Sequence, residues 1–141
     1  MLLGIGIDIL SLSRFEGVIA RRGFQVVAKR ICCARELDEF GALRDDPGLR
    51  IRYLSGRWAI KEAAYKSLYP HVRTTFRSFD LRKSKGSGQP KLHLIGHTTS
   101  KPEQSHGDGD SNIDVEEVDL VASLSHDAGV VVGVVIAQRR G

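Results

Sequence analysis

Cysteine is scarce here: two residues in 141, Cys32 and Cys33, and they are adjacent. Neighbouring cysteines rarely bridge each other, and no second pair completes a metal site, so they point to a structural role in a reducing compartment. No apolar run nears the roughly 20 residues that a membrane-spanning helix needs, so no membrane contact is expected. The first ten residues hold Asp8 and no basic cluster, unlike a signal peptide or an amphipathic transit helix. A soluble protein of the mitochondrion or cytoplasm is therefore expected. Repeats and long linkers are also missing. With 41% hydrophobic and 27% charged residues, the composition is that of one folded domain, 1–141. Cations are nearly absent from residues 96–120, where Lys101 faces seven acids, while elsewhere 20 cations meet 10 acids. A basic body of this kind suits an anionic partner, whether nucleic acid, a phosphorylated cofactor or an acidic protein.

What is present centres on the segment from Arg57 to Leu68, free of Gly and Pro and rich in helix formers. At roughly 100° per residue, Ala59, Ile60, Ala63, Ala64 and Ser67 fall on one arc, predicted to be buried. Arg57, Trp58, Lys61, Glu62, Tyr65 and Lys66 fall on the other. Ala59, Ala63 and Ser67 are small and four apart, which admits a closely approaching backbone. Glu62 beside Lys61 and Lys66 has two readings: a solvated face with an i,i+4 ion pair, or a metal-binding carboxylate flanked by cations for a phosphorylated ligand.

Along the chain, Leu3, Ile5, Ile7 and Ile9 alternate with Gly4, Gly6 and Asp8, which predicts a strand. Its glycine face is nearly bare backbone, a seat for something packed as closely as the small-residue arc. Ser13 and Glu16 suggest a capping box for a basic helix ending near Arg22, with Gly23 as its C-cap. Phe24 to Ile31 is ambiguous. Ala34 to Leu43 reads as helix, Asp45 to Gly48 as a turn, and a long helix runs from about Leu49 to Leu68. Strands are expected around Phe76 to Leu81 and at Lys91 to Ile95. Residues 96–117 lack periodicity and read as a mobile acidic surface insertion, whose histidines lack metal-ligand spacing. Val118 to Leu124 and Val130 to Ala137 predict two more strands, joined by a polar Ser-His-Asp turn ending in His126 and Asp127. Adjacent residues cannot assemble a hydrolase triad, but such a turn suits ligand contacts.

Four motifs in order carry a resemblance: Gly4-Ile5-Gly6-Ile7-Asp8-Ile9, Arg57-Trp58-Ala59-x-Lys61-Glu62-Ala63-x-x-Lys66, Gly88-Gln89-Pro90-Lys91-Leu92 and Ser123-Leu124-Ser125-His126-Asp127. Together they resemble the small holo-acyl-carrier-protein synthase family of 4′-phosphopantetheinyl transferases. The resemblance implies an α+β domain, an antiparallel sheet packed on a long central helix, assembled as a homotrimer with coenzyme A between subunits. It implies an enzyme that moves phosphopantetheine from coenzyme A onto a serine of an apo acyl carrier protein, releasing adenosine 3′,5′-bisphosphate and supporting fatty acid biosynthesis. By similarity, Asp8 and Glu62 hold Mg²⁺, a cation suited to carboxylates and substrate phosphates. Lys66 would contact phosphate and Arg57 the 3′-phosphate; Lys61, Pro90 and His126 complete the coenzyme-binding set. Glu62, directly or through water, is the candidate base. Arg14, Arg21 and Arg22 are implied to dock the acidic carrier protein through a salt-sensitive contact. Two departures stand out. Ser67-Leu68-Tyr69-Pro70-His71 replaces a Gly-Thr-Gly-like turn, and the 96–117 insertion is longer than in compact bacterial members, which suggests a eukaryotic version. The competing readings are a non-catalytic coenzyme A-binding scaffold and a basic nucleic-acid-binding module. The second lacks cations interleaved with stacking aromatics.

Overall fold

The first strand, β1 (Leu2–Ser11), runs along the longest helix, α4 (Pro47–Leu68), at backbone contact distance, and the rest of the chain is arranged around that pair. The computed structural model describes residues 1–44, 46–96 and 113–141. After β1 come three short helices, α1 (Leu12–Arg22), α2 (Phe24–Ile31) and α3 (Ala34–Gly41), then α4. A hairpin of β2 (Phe79–Lys83) and β3 (Pro90–Leu94) follows, and β4 (Val118–Asp127) and β5 (Val130–Arg139) close the chain. The main sheet is antiparallel in the order β1-β5-β4.

Glycine makes the close approach possible. A Cβ at Gly4 would overlap the Ser67 carbonyl, and one at Gly6 would overlap that of Ala63. On β5, a Cβ at Gly133 would lie 2.7 Å from the Ala59 carbonyl. The small arc of α4 therefore does seat on the bare strand face, as the spacing predicts. Ile60, Ala64 and Leu68 turn toward β2, β3 and the sheet in one core cluster, while Phe15, Ile31, Phe40 and Leu54 build a second under the short helices. Gly6→Ala is expected to cost at least about 3 kcal/mol, because backbone rather than a movable side chain blocks the new methyl. A urea melt monitored by Trp58 fluorescence checks this; a loss below about 1 kcal/mol would show that α4 can slide.

Several local expectations are corrected. The N-cap of α1 is Ser11, whose Oγ accepts from the Arg14 amide at 3.4 Å, so Ser13 and Glu16 form no capping box. The helix nonetheless ends at Arg22, with Gly23 at φ 85°. Phe24 to Ile31 is helical. Of the expected turn at 45–48, Asp45 lies outside the described residues and the rest is the start of α4: Asp46 caps it, accepting from the Leu49 amide at 3.0 Å, and Pro47 takes the first turn, where its missing N–H costs nothing. Phe76–Ser78 is a 3₁₀ turn ahead of β2. The strand β4 runs on to Asp127, so Ser123 to Asp127 lies in the sheet. Ala128 and Gly129, at φ 50° and 74°, make the turn instead. Of the 96–117 insertion, residues 97–112 lie outside the described residues, and Val115–Glu117 forms a 3₁₀ turn.

Candidate active site

Period-2 alternation carries Asp8 onto the helix-facing side of β1, following Gly4 and Gly6, and helical spacing carries Glu62 onto the uncovered strip of α4. Lys66, one turn further, does not pair with Glu62. Its Nζ donates to the Ile7 carbonyl at 3.0 Å and to Asp8 Oδ1 at 3.4 Å. The Asp8 side chain is 16% exposed, and its Oδ2 is buried with no hydrogen-bond partner among the described residues. Burial raises the pKa of the Glu62 carboxyl, the Asp8 charge raises it further, and Lys66 opposes both. Two carboxylates thus share a partly dry space, with one oxygen unmatched. That is a hard-oxygen donor set lacking a cation's worth of positive charge, and Mg²⁺ fits it.

On the α1 side, Asp8 opens into a cleft of about 470 Å³ lined also by Ser13, Arg14, Phe15, Arg21 and Trp58. The Trp58 ring meets Phe15 edge-on at 6.0 Å and tilts over Phe76 at 5.0 Å, giving the cleft a rigid aromatic wall. The fold therefore brings together Asp8, Glu62, Lys66, Arg14 and Arg21. Arg22 is exposed at the end of α1, outside the cleft lining. Pro90 opens β3, paired with Lys83. His126 is exposed on β4 opposite Val131, with β5 between it and β1, about 10 Å away at two strand spacings.

The position of two residues expected to bind the coenzyme needs correction. Arg57 and Lys61 do not lie on a solvated arc; they are 7% and 0% exposed. Both turn to Glu36 of α3, itself fully buried. Lys61 Nζ donates to Glu36 Oε1 and, at 2.8 Å, to the Ile31 carbonyl. Arg57 Nε donates to Glu36 Oε2 at 2.9 Å, and its Nη2 reaches Glu39 and the Leu81 carbonyl. Glu36 also accepts from the amides of Cys33 and Leu81. These contacts knit α3, α4 and β2 together. Cys33, Glu36 and Asp80 come within 4.8 Å of one another. This is no metal centre: Lys61 and Arg57 neutralise Glu36, and Arg35 and Arg82 hold Asp80. Burial pushes the Cys32 thiol up to about 12, which makes it inert.

From the sequence, Phe15 and Trp58 carried no assigned role and Ser13 only that of a helix cap, although Trp58 stands one helical turn before Glu62. Glu36 carried no local signal beyond being an acid in the first turn of a helix.

The chain matches the family model described as the 4′-phosphopantetheinyl transferase superfamily over residues 4–124. It is 32% identical to holo-[acyl-carrier-protein] synthase of Vibrio cholerae, an alignment covering 99% of this chain and 100% of that protein. It is 35% identical to the Mycoplasma pneumoniae enzyme of the same name over 67% of this chain and 81% of the other. The crystal structure of the Neisseria meningitidis synthase superposes with a TM-score of 0.72 at 25% identity, covering 99% of this chain and 100% of that one. The Helicobacter pylori synthase in complex with coenzyme A gives 0.65 at 27% identity, covering 95% and 99%.

Proposed function

Because the chain belongs to the 4′-phosphopantetheinyl transferase superfamily, we propose that it transfers 4′-phosphopantetheine from coenzyme A to a serine of an apo acyl carrier protein. The serine oxygen bonds to the phosphorus bearing the pantetheine arm, the bond from that phosphorus to the bridging oxygen breaks, and adenosine 3′,5′-bisphosphate leaves with the bridging oxygen. The serine proton passes to a base, for which Glu62 is the candidate. The observation carrying this reading is the half-buried Asp8–Glu62 pair, with its unpartnered Asp8 oxygen and Lys66 beside it. Asp8 and Glu62 would hold Mg²⁺, which when bound offsets the negative charge that grows on the leaving phosphate. Lys66, half-exposed, is available to the pyrophosphate.

Arg14 and Arg21, opening the cleft toward solvent, suit an acidic carrier, with Arg22 extending the basic surface. Reversing both cleft charges, Arg14→Glu with Arg21→Glu, is expected to raise the KM for the carrier at least about ten-fold, an effect that shrinks as salt rises. An unchanged KM at low salt would move the docking surface elsewhere. The outer face of the sheet bears Ile5, Ile7 and Ile9, at 61%, 55% and 68% exposure, with Val121 at 53%. So large an apolar face supports a homotrimer, which sedimentation equilibrium tests. The reaction itself is tested by intact mass. An apo acyl carrier protein incubated with this protein, coenzyme A and Mg²⁺ should gain one phosphopantetheine, and EDTA should prevent the gain. No gain with any of several carriers would overturn the proposal.

A further inference from the structure

Among the described residues, the arginines that are not exposed are Arg35, Arg50 and Arg57. Arg35 meets Asp80 and Arg57 meets Glu36. Arg50 meets no carboxylate among the described residues. Its guanidinium rests against the rings of Phe24 and Phe40, with Cζ 4.7 and 4.6 Å from their centroids, and its Nε is buried without a hydrogen-bond partner. Ring faces attract the charge but accept none of the in-plane N–H groups of the fork. A cation half withdrawn from water with donors unmatched is costly unless an anion completes it.

There is room for one. Arg50 lines a groove of about 910 Å³ between α2, α3 and the first turn of α4, together with Gln25, Leu37, Asp38 and Arg44. Arg44 is exposed and donates from Nε to the Gly41 carbonyl at 3.2 Å, which leaves its Nη groups to the groove. Asp38, also exposed, pairs with neither arginine among the described residues. The groove is separate from the Asp8–Glu62 pair: Arg50 stands twelve residues before Glu62, about 18 Å along α4 and about 120° around it.

The donors select the class of anion. One guanidinium fork satisfies both oxygens of a carboxylate, whereas two forks and a carboxamide suit a tetrahedral oxyanion with more acceptor positions. Asp38 then separates phosphate from sulfate. Near neutral pH, inorganic phosphate keeps an O–H that a carboxylate can accept; sulfate has none and is repelled. We propose that Arg44, Arg50, Gln25 and Asp38 form a binding site for free inorganic phosphate, distinct from the reacting centre. The arginines and the Gln25 amide donate to its oxygens, and Asp38 accepts from its hydroxyl.

The test is a ¹H–¹⁵N NMR titration of the full chain with inorganic phosphate, at an ionic strength held constant with chloride. The Gln25 side-chain amide and the Arg44 and Arg50 Nε–H signals should shift saturably, and sulfate should bind at least about ten-fold more weakly. Arg50→Met and Arg44→Met should each weaken phosphate at least about ten-fold, the scale of one charge-assisted hydrogen bond. Methionine keeps a long stem against Phe24 and Phe40; the exposed Arg44 supplies a variant with little bearing on folding. Asp38→Asn should bring sulfate and phosphate together. The shifts should persist when adenosine 3′,5′-bisphosphate saturates the protein. No saturable shift would overturn the inference, as would be the case if Asp45, outside the described residues, supplies the anion itself. Sulfate binding as tightly as phosphate, or phosphate binding unchanged in Arg44→Met, would overturn it too. So would loss of the shifts on adding the bisphosphate, which would make the groove part of the coenzyme site.

Discussion

Asp8→Ala and Glu62→Ala should each lower phosphopantetheine transfer about 10²–10³-fold while leaving the protein folded, the loss seen when one preorganised electrostatic contact to a developing charge is removed. The separation of activity from stability follows from the surroundings. One Asp8 oxygen has no partner within the described residues, and the other has only the half-exposed Lys66 at 3.4 Å. Burial and Asp8 both disfavour the ionised form of Glu62. Neither carboxylate contributes much to folding, and removing one relieves repulsion on the other. A melting temperature within a few degrees of the parent, with an increased Mg²⁺ requirement in any residual activity, is the expected pattern. Binding of Mn²⁺ followed by electron paramagnetic resonance reads the metal directly and should weaken in both variants. Full transfer activity in both would sink the assignment of the site.

Glu36→Ala should do the reverse and strongly destabilise the fold while leaving the Asp8–Glu62 pair in place. Its carboxylate meets Arg57 and Lys61 where none of the three side chains is more than 9% exposed. Removing one member of a buried ion network leaves the others uncompensated, at about 3–5 kcal/mol. Two amides, of Cys33 and Leu81, also lose their acceptor. For a domain of this size the melting temperature should fall by on the order of 10 °C or more. Replacing the whole triad, Glu36→Leu with Arg57→Met and Lys61→Met, should restore much of that loss, because apolar groups of similar volume leave no buried charge unpaired. Differential scanning calorimetry of the parent and the two variants distinguishes the cases. A triple variant no better than Glu36→Ala alone would mean that the network's geometry, and not its charge balance, holds α3 to α4.

These two sites mark what could be read in advance. Gly4 and Gly6 alternating with isoleucines, and Ala59, Ala63 and Ser67 four apart, state by themselves that a strand and a helix can touch at backbone distance, since period 2 and period 3.6 select the faces. The same periods put Asp8 on the helix-facing side of β1 and Glu62 off the buried arc. The central helix, the sheet and the Asp8–Glu62 carboxylate pair were therefore legible from local pattern and ordered motifs. Periodicity names a face but not what another segment will bring to it. Arg57 and Lys61 look solvated from their positions on α4; they are buried because Glu36, 21 and 25 residues earlier, arrives with an unpaired carboxylate. Lys66 is within helical reach of Glu62, yet it donates to Asp8, 58 residues away. His126 belongs to a strand rather than a turn because pairing with Val131 extends the ladder past the polar residues. The sequence by itself determined the close-packed helix and sheet and the carboxylates at their edge, since these depend on side-chain size and spacing along one element. Only the tertiary structure decided which cations are buried in ion pairs, because charge pairing is settled between elements far apart in the chain.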